Sequence, residues 1–190
     1  MNRPADARLA NLLGALATGL TDRMQEVAWQ VARLDSSSAA ALIALLDFSP
    51  AGPIQTLSQI CGLTHSGGVR LVNRLAVAGY VERSSGRDAR SITVGLTHTG
   101  QAAALELRAA RHAAIAATMA DLTTSQRQNL ATACDALIAA LTTHRLAIRA
   151  DGRMPAGGAL CRLCDFAACE RADGNCPAAR TAQNESGPAE

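Results

Sequence analysis

The sequence predicts a mainly α-helical protein that carries one small β-hairpin. Three observations lead there. Alanine and leucine dominate a 190-residue chain that is 48 % hydrophobic and 2 % aromatic, and Ala-rich composition favours helix. Apolar residues recur at three- and four-residue steps, the period of a helical stripe. Residues 80–96 alone switch to two short apolar runs around a polar turn, the pattern of a hairpin. The length suits one compact domain with appendages. Its core must be aliphatic, since the chain has two Phe, one Tyr and one Trp.

The elements follow in order. Residues 5–33 read as a long amphipathic helix, with Leu9, Leu12, Leu13, Leu16, Leu20, Met24, Val27 and Val31 on one stripe. Ser36 to Ser38 offer an N-cap for a second helix, residues 39–48. Ser49-Pro50-Ala51-Gly52-Pro53 breaks it. A short third helix spans residues 55–61 and stops near Gly62. Thr64 or His65 opens a fourth, which runs to Gly79. Strands at 80–84 and 91–96 flank the polar turn 85–90. Thr97 caps a fifth helix at 99–120, and residues 123–125 start a sixth at 125–149. Leu130, Cys134, Leu137, Ile138, Leu141 and Ile148 lie on one face of that last helix. Residues 151–158 read as a linker; a cysteine-rich segment follows. Residues 181–190 read as a polar, disordered tail.

Two short helices joined by a tight turn, then a hairpin with a basic tip, make the winged helix-turn-helix plan, in which the second helix of the pair enters the major groove. Ser66, Arg70, Asn73, Arg74 and Val77 fall on one face of the fourth helix, and Val69, Val72, Leu75 and Ala76 on another that can pack inward. Arg70 and Arg74 suit guanine edges or phosphates, and Asn73 suits adenine. Thr64 and His65 lie at the start of this helix, where His65 can touch phosphate. Gly67 and Gly68 either permit close approach to the DNA backbone or weaken the first turn. From Arg70 to Arg90 five arginines face Glu82 and Asp88, a balance of +3 in a chain of net +2. The basic character therefore sits where DNA would be. Arg87 and Arg90, at the wing, suit a narrow minor groove. The competing reading is a winged helix used for dimerisation or protein binding, because fold does not fix function.

The stretch "LTHSGGVRLVNRLAVAGYVERSSGRDARSITVGLTHTGQ" resembles the core of the MarR family of bacterial transcriptional regulators. The motifs that carry it are L-x-x-x-G-Y-V-E-R from Leu75, D-x-R-S at Asp88–Ser91 and L-T-x-x-G at Leu96–Gly100, and the helix order matches over residues 5–149. The resemblance implies a winged helix-turn-helix core flanked by long dimerisation helices. It implies a homodimer on near-palindromic double-stranded DNA, a repressor that blocks polymerase, and an effector that alters the spacing of the reading helices. It also implies that Arg90 enters the minor groove and that Asp88 braces the wing. The chain then divides into a dimerisation helix (1–34), a DNA-binding core (35–98), two further dimerisation helices (99–150), a linker and cysteine-rich segment (151–180) and the tail (181–190).

Nothing points to catalysis: there is no Gly-rich phosphate loop, nucleophile elbow or HExxH, and the four histidines are scattered. No signal peptide or membrane-length apolar run is present, so the expected compartment is the cytoplasm, where clustered cysteines bind metal or sense redox state more often than they form disulfides. Cys161, Cys164, Cys169 and Cys176 are spaced C-x2-C-x4-C-x6-C and lie outside the MarR pattern. Four thiolates suit a tetrahedral zinc ion or an iron–sulfur cluster. The single C-x2-C knuckle and Pro177 after the last cysteine resemble iron–sulfur loops of bacterial redox regulators and favour the cluster. Zinc is the alternative, as a structural staple beside a small-molecule effector; disulfides or free thiols, and a metal-folded docking tail for a partner protein, also stay open. Arg162 and Arg171 can offset thiolate charge, and Cys61 and Cys134 read as small buried hydrophobes.

Overall fold

The computed structural model describes residues 3–85 and 92–186. Within them the order is α1 (Arg3–Ala32), α2 (Ser36–Asp47), β1 (Gly52–Pro53), α3 (Ile54–Cys61), α4 (His65–Val77), β2 (Val81–Ser85), β3 (Ile92–Leu96), α5 (His98–Thr118), α6 (Thr124–Ala150), a single 3-10 turn (Leu160–Leu163) and α7 (Pro177–Ser186). The fold is mainly helical with a small antiparallel sheet, the expected class. No helix of the described residues is long and apolar enough to cross a membrane.

Side-chain caps set most helix starts. Thr64, Thr97 and Thr123 each accept a bond from the backbone amide three residues on, at Gly67, Gly100 and Gln126. For α2 the cap is Asp35, which accepts from the Ser38 amide at 2.8 Å, rather than one of the serines. A carboxylate there also meets the positive end of the helix dipole. Gly62 (φ +69°) ends α3, and Gly79 (φ +77°) follows the end of α4.

The sheet has a third strand that the Pro-rich break between α2 and α3 concealed. Gly52 and Pro53 pair with Val94 and Thr93, so β3 lies between β1 and β2. Proline is tolerated because β1 is an edge. The core gathers Leu42 of α2, Leu57 of α3, Leu71, Val72 and Leu75 of α4, Val94 of β3 and Leu107 of α5, all essentially sealed from solvent. The hairpin is tied to α5 at Thr97, whose hydroxyl donates to the Gly79 carbonyl at 2.7 Å.

Beyond α6 the structure departs from the expected linker and tail. Pro177 begins α7, which packs along α6 and is helical to Ser186, so the polar stretch from residue 181 is helical that far. Proline suits the first helical position. The linker ends in a close contact with the last turn of α3: the Ala159 amide donates to the Ile60 carbonyl at 2.8 Å.

Candidate DNA interface and cysteine segment

Helix α4 buries Gly68, Leu71, Val72 and Leu75 and turns Thr64, His65, Ser66, Arg70, Asn73, Arg74 and Val77 outward. Val77 is 91 % exposed, which leaves an apolar side chain beside the arginines. Arg70 has no ion-pair partner among the described residues. Arg74 pairs with Asp35 at 3.2 Å, with both side chains more than half exposed. Asn73 accepts from the Arg83 guanidinium of β2. Two side chains expected to read bases therefore hold protein partners here. Surface pairs of this kind are weak, so both remain free to exchange for phosphate or base edges. Thr64 spends its hydroxyl on the helix cap, accepting from the Gly67 amide at 3.1 Å. Arg87, Asp88 and Arg90 lie outside the described residues.

Gly68 does not serve an approach to DNA. A Cβ there would lie 1.8 Å from the Ser58 Oγ, so the glycine lets α4 press against α3. Arg83 was not singled out from sequence; its place beside Asn73 arises only when β2 folds back along α4.

The cysteine segment brings its thiols together. Cys164 hydrogen-bonds to both Cys161 and Cys169, and Cys176 lies close enough to raise the thiols of Cys161 and Cys169. Among the described residues, however, no three His, Cys, Asp or Glu side chains form a ready-made metal cage. The Cys161 hydrogen bond lowers the Cys164 thiol to about 6, against the effect of burial and with help from Arg111. Cys161 moves the opposite way, chiefly as the partner in that bond, and Cys169 is raised mainly by burial. Arg111 of α5, which sequence reasoning did not single out, sits near Cys164 and Cys169 and donates to the Met24 Sδ at 3.3 Å. Arg171 lies 4.5 Å over the Phe166 ring and within 3.9 Å of the Cys176 sulfur. Arg162 instead bonds to the Ala159 carbonyl.

Several contacts tie this segment to the rest of the fold. Arg108 of α5 bridges Asp47 at 2.8 Å and Asp165 at 3.5 Å, and its side chain is 18 % exposed. Burial opposes the Asp165 charge, but the Ala168 amide, Arg108 and the Ala167 amide outweigh it and hold the carboxyl below its ordinary range. Phe166 packs on Phe48 with ring centroids 5.4 Å apart. Gly62 and Gly158 meet back to back: a Cβ on Gly62 would lie 2.4 Å from the Gly158 nitrogen, and one on Gly158 would lie 2.2 Å from the Ile60 oxygen. Beside this contact a cleft of about 590 Å³ opens between α3, α6 and the tail, with Ile60, Arg145, Leu146 and Leu160 in its wall.

The other two cysteines differ. Cys61 is buried, and burial pushes its thiol up to about 11. Cys134 is exposed, contrary to its expected burial, on an α6 face whose Leu137 and Leu141 are also about half exposed among the described residues.

No protein-family model matches the chain, and no curated protein does. Solved structures do match. A MarR family protein from Bacillus stearothermophilus is 23 % identical, with a TM-score of 0.65, over 75 % of this chain and 99 % of its own. A MarR family protein from Mycobacterium tuberculosis in complex with p-aminosalicylic acid is 26 % identical, with a TM-score of 0.53, over 68 % of this chain and 97 % of its own. MepR, a transcription regulator of the Staphylococcus aureus multidrug efflux pump MepA, is 11 % identical, with a TM-score of 0.62, over 70 % and 97 %. The chain has the MarR-type winged-helix fold, and each of these matches leaves at least a quarter of it without a counterpart.

Proposed function

We propose that the protein is a homodimeric DNA-binding transcriptional regulator, a repressor rather than an enzyme, that reads a near-palindromic operator with α4 of each subunit. The observation that carries this reading is the two-sided character of α4. One side is sealed in the core, and the other presents Arg70, Asn73, Arg74 and the neighbouring Arg83 to solvent. The fold shared with MarR family proteins supports the same role. Exposed Leu9, Leu12 and Leu16 on α1 and Leu137 and Leu141 on α6 support dimerisation through these helices. Two reading helices in a dimer fall about one DNA turn apart, ~34 Å. Selection from a randomised duplex pool, followed by gel shifts, tests the reading. A palindromic consensus with half-sites about 10 base pairs apart is expected. A folded dimer that enriches no sequence would instead be a protein-binding winged helix.

The four cysteines carry the signal-receiving part of the proposal. Four cysteines carried on one short segment, with Arg111 and Arg171 near them to offset thiolate charge, suit a thiolate-bound iron–sulfur cluster that senses redox state or iron. The alternative is a structural zinc ion, with a small-molecule effector in the cleft between α3, α6 and the tail; the ligand carried by the M. tuberculosis neighbour is consistent with an effector. Anaerobic purification followed by iron, sulfide and zinc assays separates the two. A brown, iron- and sulfide-bearing protein supports the cluster, and a colourless one with one zinc per subunit supports the staple.

A further inference from the structure

We infer that the cysteine segment is a metal-dependent strap on the DNA-reading unit. With its thiolates gathered on a metal centre, it clamps the end of α3 to α2 and α5, and the clamp sets the affinity of α4 for DNA. This rests on the DNA-binding reading above and adds to it the route by which the tail regulates it.

The strap is fixed at two places. At one end Ala159 bonds to Ile60 in the last turn of α3, and Gly158 sits on Gly62 with no room for a side chain on either. Further along, Asp165 and Phe166 are held by Arg108 and Phe48, where α5 and the end of α2 meet. The first two cysteines lie between these anchors, and the Cys164 amide donates to the Cys161 carbonyl at 3.0 Å. A metal drawn between them would fix the spacing of the anchors.

The clamp lies one short turn from the DNA surface. Only Gly62, Leu63 and Thr64 separate α3 from α4. The Leu63 amide is bonded back to Ser58, and Gly68 of α4 rests on the same serine. Close-packed elements transmit a displacement instead of absorbing it. A shift at the end of α3 therefore reaches Arg70 and Asn73.

The strap has little to hold it without a crosslink. Between Ala159 and Cys176 its one regular element is the four-residue 3-10 turn, and those two end residues are the buried ones. Segments this short fold on a metal when they lack a core. An emptied site leaves the clamp to the Ala159–Ile60 bond, the Arg108–Asp165 ion pair, the Phe166 amide bond to Asp47 and the Phe48–Phe166 ring contact, and the docked state loses population.

The test uses the full-length dimer and DNA selected with the protein as purified. The protein is stripped with a chelator under reducing, anaerobic conditions. It is reloaded with zinc alone in one arm and with ferrous iron and sulfide in the other. DNA affinity is read by fluorescence anisotropy. One centre per subunit and binding at least about tenfold tighter than the stripped form are expected in one arm. Gly158→Ala keeps all four cysteines but sets a Cβ against the Ile60 carbonyl. It should load metal normally, bind DNA like the stripped wild type and lose the metal response. Phe166→Ala, the milder change, should lose about threefold of the loaded affinity, with unchanged circular dichroism showing an intact fold. Equal affinity of loaded and stripped protein, a full response in both variants, or failure of both arms to load a metal overturns the strap. Tight, sequence-specific but metal-indifferent binding sinks the strap alone; absence of any sequence preference in every form sinks the DNA reading.

Discussion

Arg70 stands on the outer side of α4 with no ion-pair partner among the described residues, whereas Arg74 leans on Asp35 and Asn73 on Arg83. Arg70→Ala should therefore weaken operator binding and, if the contact is to phosphate, lower the slope of log affinity against log salt by about 1. A titration from low to high salt checks this, and an unchanged slope would reassign Arg70 to base reading or to none. Arg90→Ala should reduce affinity and salt dependence together; an unaltered gel shift removes it from the interface. The cysteines separate by environment. Burial moves Cys61 up to about 11, which makes its reactive thiolate roughly a hundredfold scarcer at pH 8 than for an ordinary thiol. In native protein, mass spectrometry after brief iodoacetamide treatment should find Cys134 modified and Cys61 untouched until denaturant is added. Sequence periodicity placed the buried and exposed sides of α4 correctly at Val72, Leu75, Arg70 and Val77. It had no means of finding Arg83 or Arg111, whose neighbours come from other elements.

Turns and caps are where local sequence dictates local structure most directly in this chain. Thr97 illustrates it: its hydroxyl accepts from the Gly100 amide at 3.0 Å and donates to the Gly79 carbonyl, so one side chain starts α5 and closes the hairpin. Gly100 completes the device, because a Cβ there would lie 1.8 Å from the Tyr80 carbonyl oxygen. Backbone cannot yield as a side-chain tip can. Gly100→Ala should cost about 1–3 kcal/mol despite alanine's better helix propensity; thermal and urea unfolding measure it, and a stabilised variant would show that the hairpin shifts freely. Such motifs were legible because cap, glycine and strand end lie within a few residues. β1 was not legible, since two residues of Gly-Pro carry a turn signature and become a strand only by pairing with β3.

Across the whole molecule, the apolar surface is unevenly shared. Leu12 of α1 and Leu141 of α6 are each 50 % exposed, on helices that the proposed dimer would bury. Leu12→Glu combined with Leu141→Glu should give monomers by sedimentation or light scattering. Helix content should persist, because neither side chain lies in the subunit core. Operator affinity should fall steeply as the second reading helix is lost. A double variant that stays dimeric would place the dimer interface elsewhere. The tail also takes its meaning at this scale, resting on α2, α3 and α6 of its own subunit.

The sequence by itself determined the order of α1 to α6 and the hairpin, the caps at Thr64, Thr97 and Thr123, the outward face of α4 and the spacing of the four cysteines. Each is written in spacing over a few residues, where backbone geometry leaves few choices. Tertiary structure alone decided that Gly68 serves α3 rather than DNA, and that Arg108 ties α2 to the cysteine segment. It also decided that Gly158, at the end of an apparent linker, closes on Gly62. These contacts join residues far apart in the chain, and close approach between two backbones leaves no mark on either stretch except a glycine, which turns and loops use just as readily.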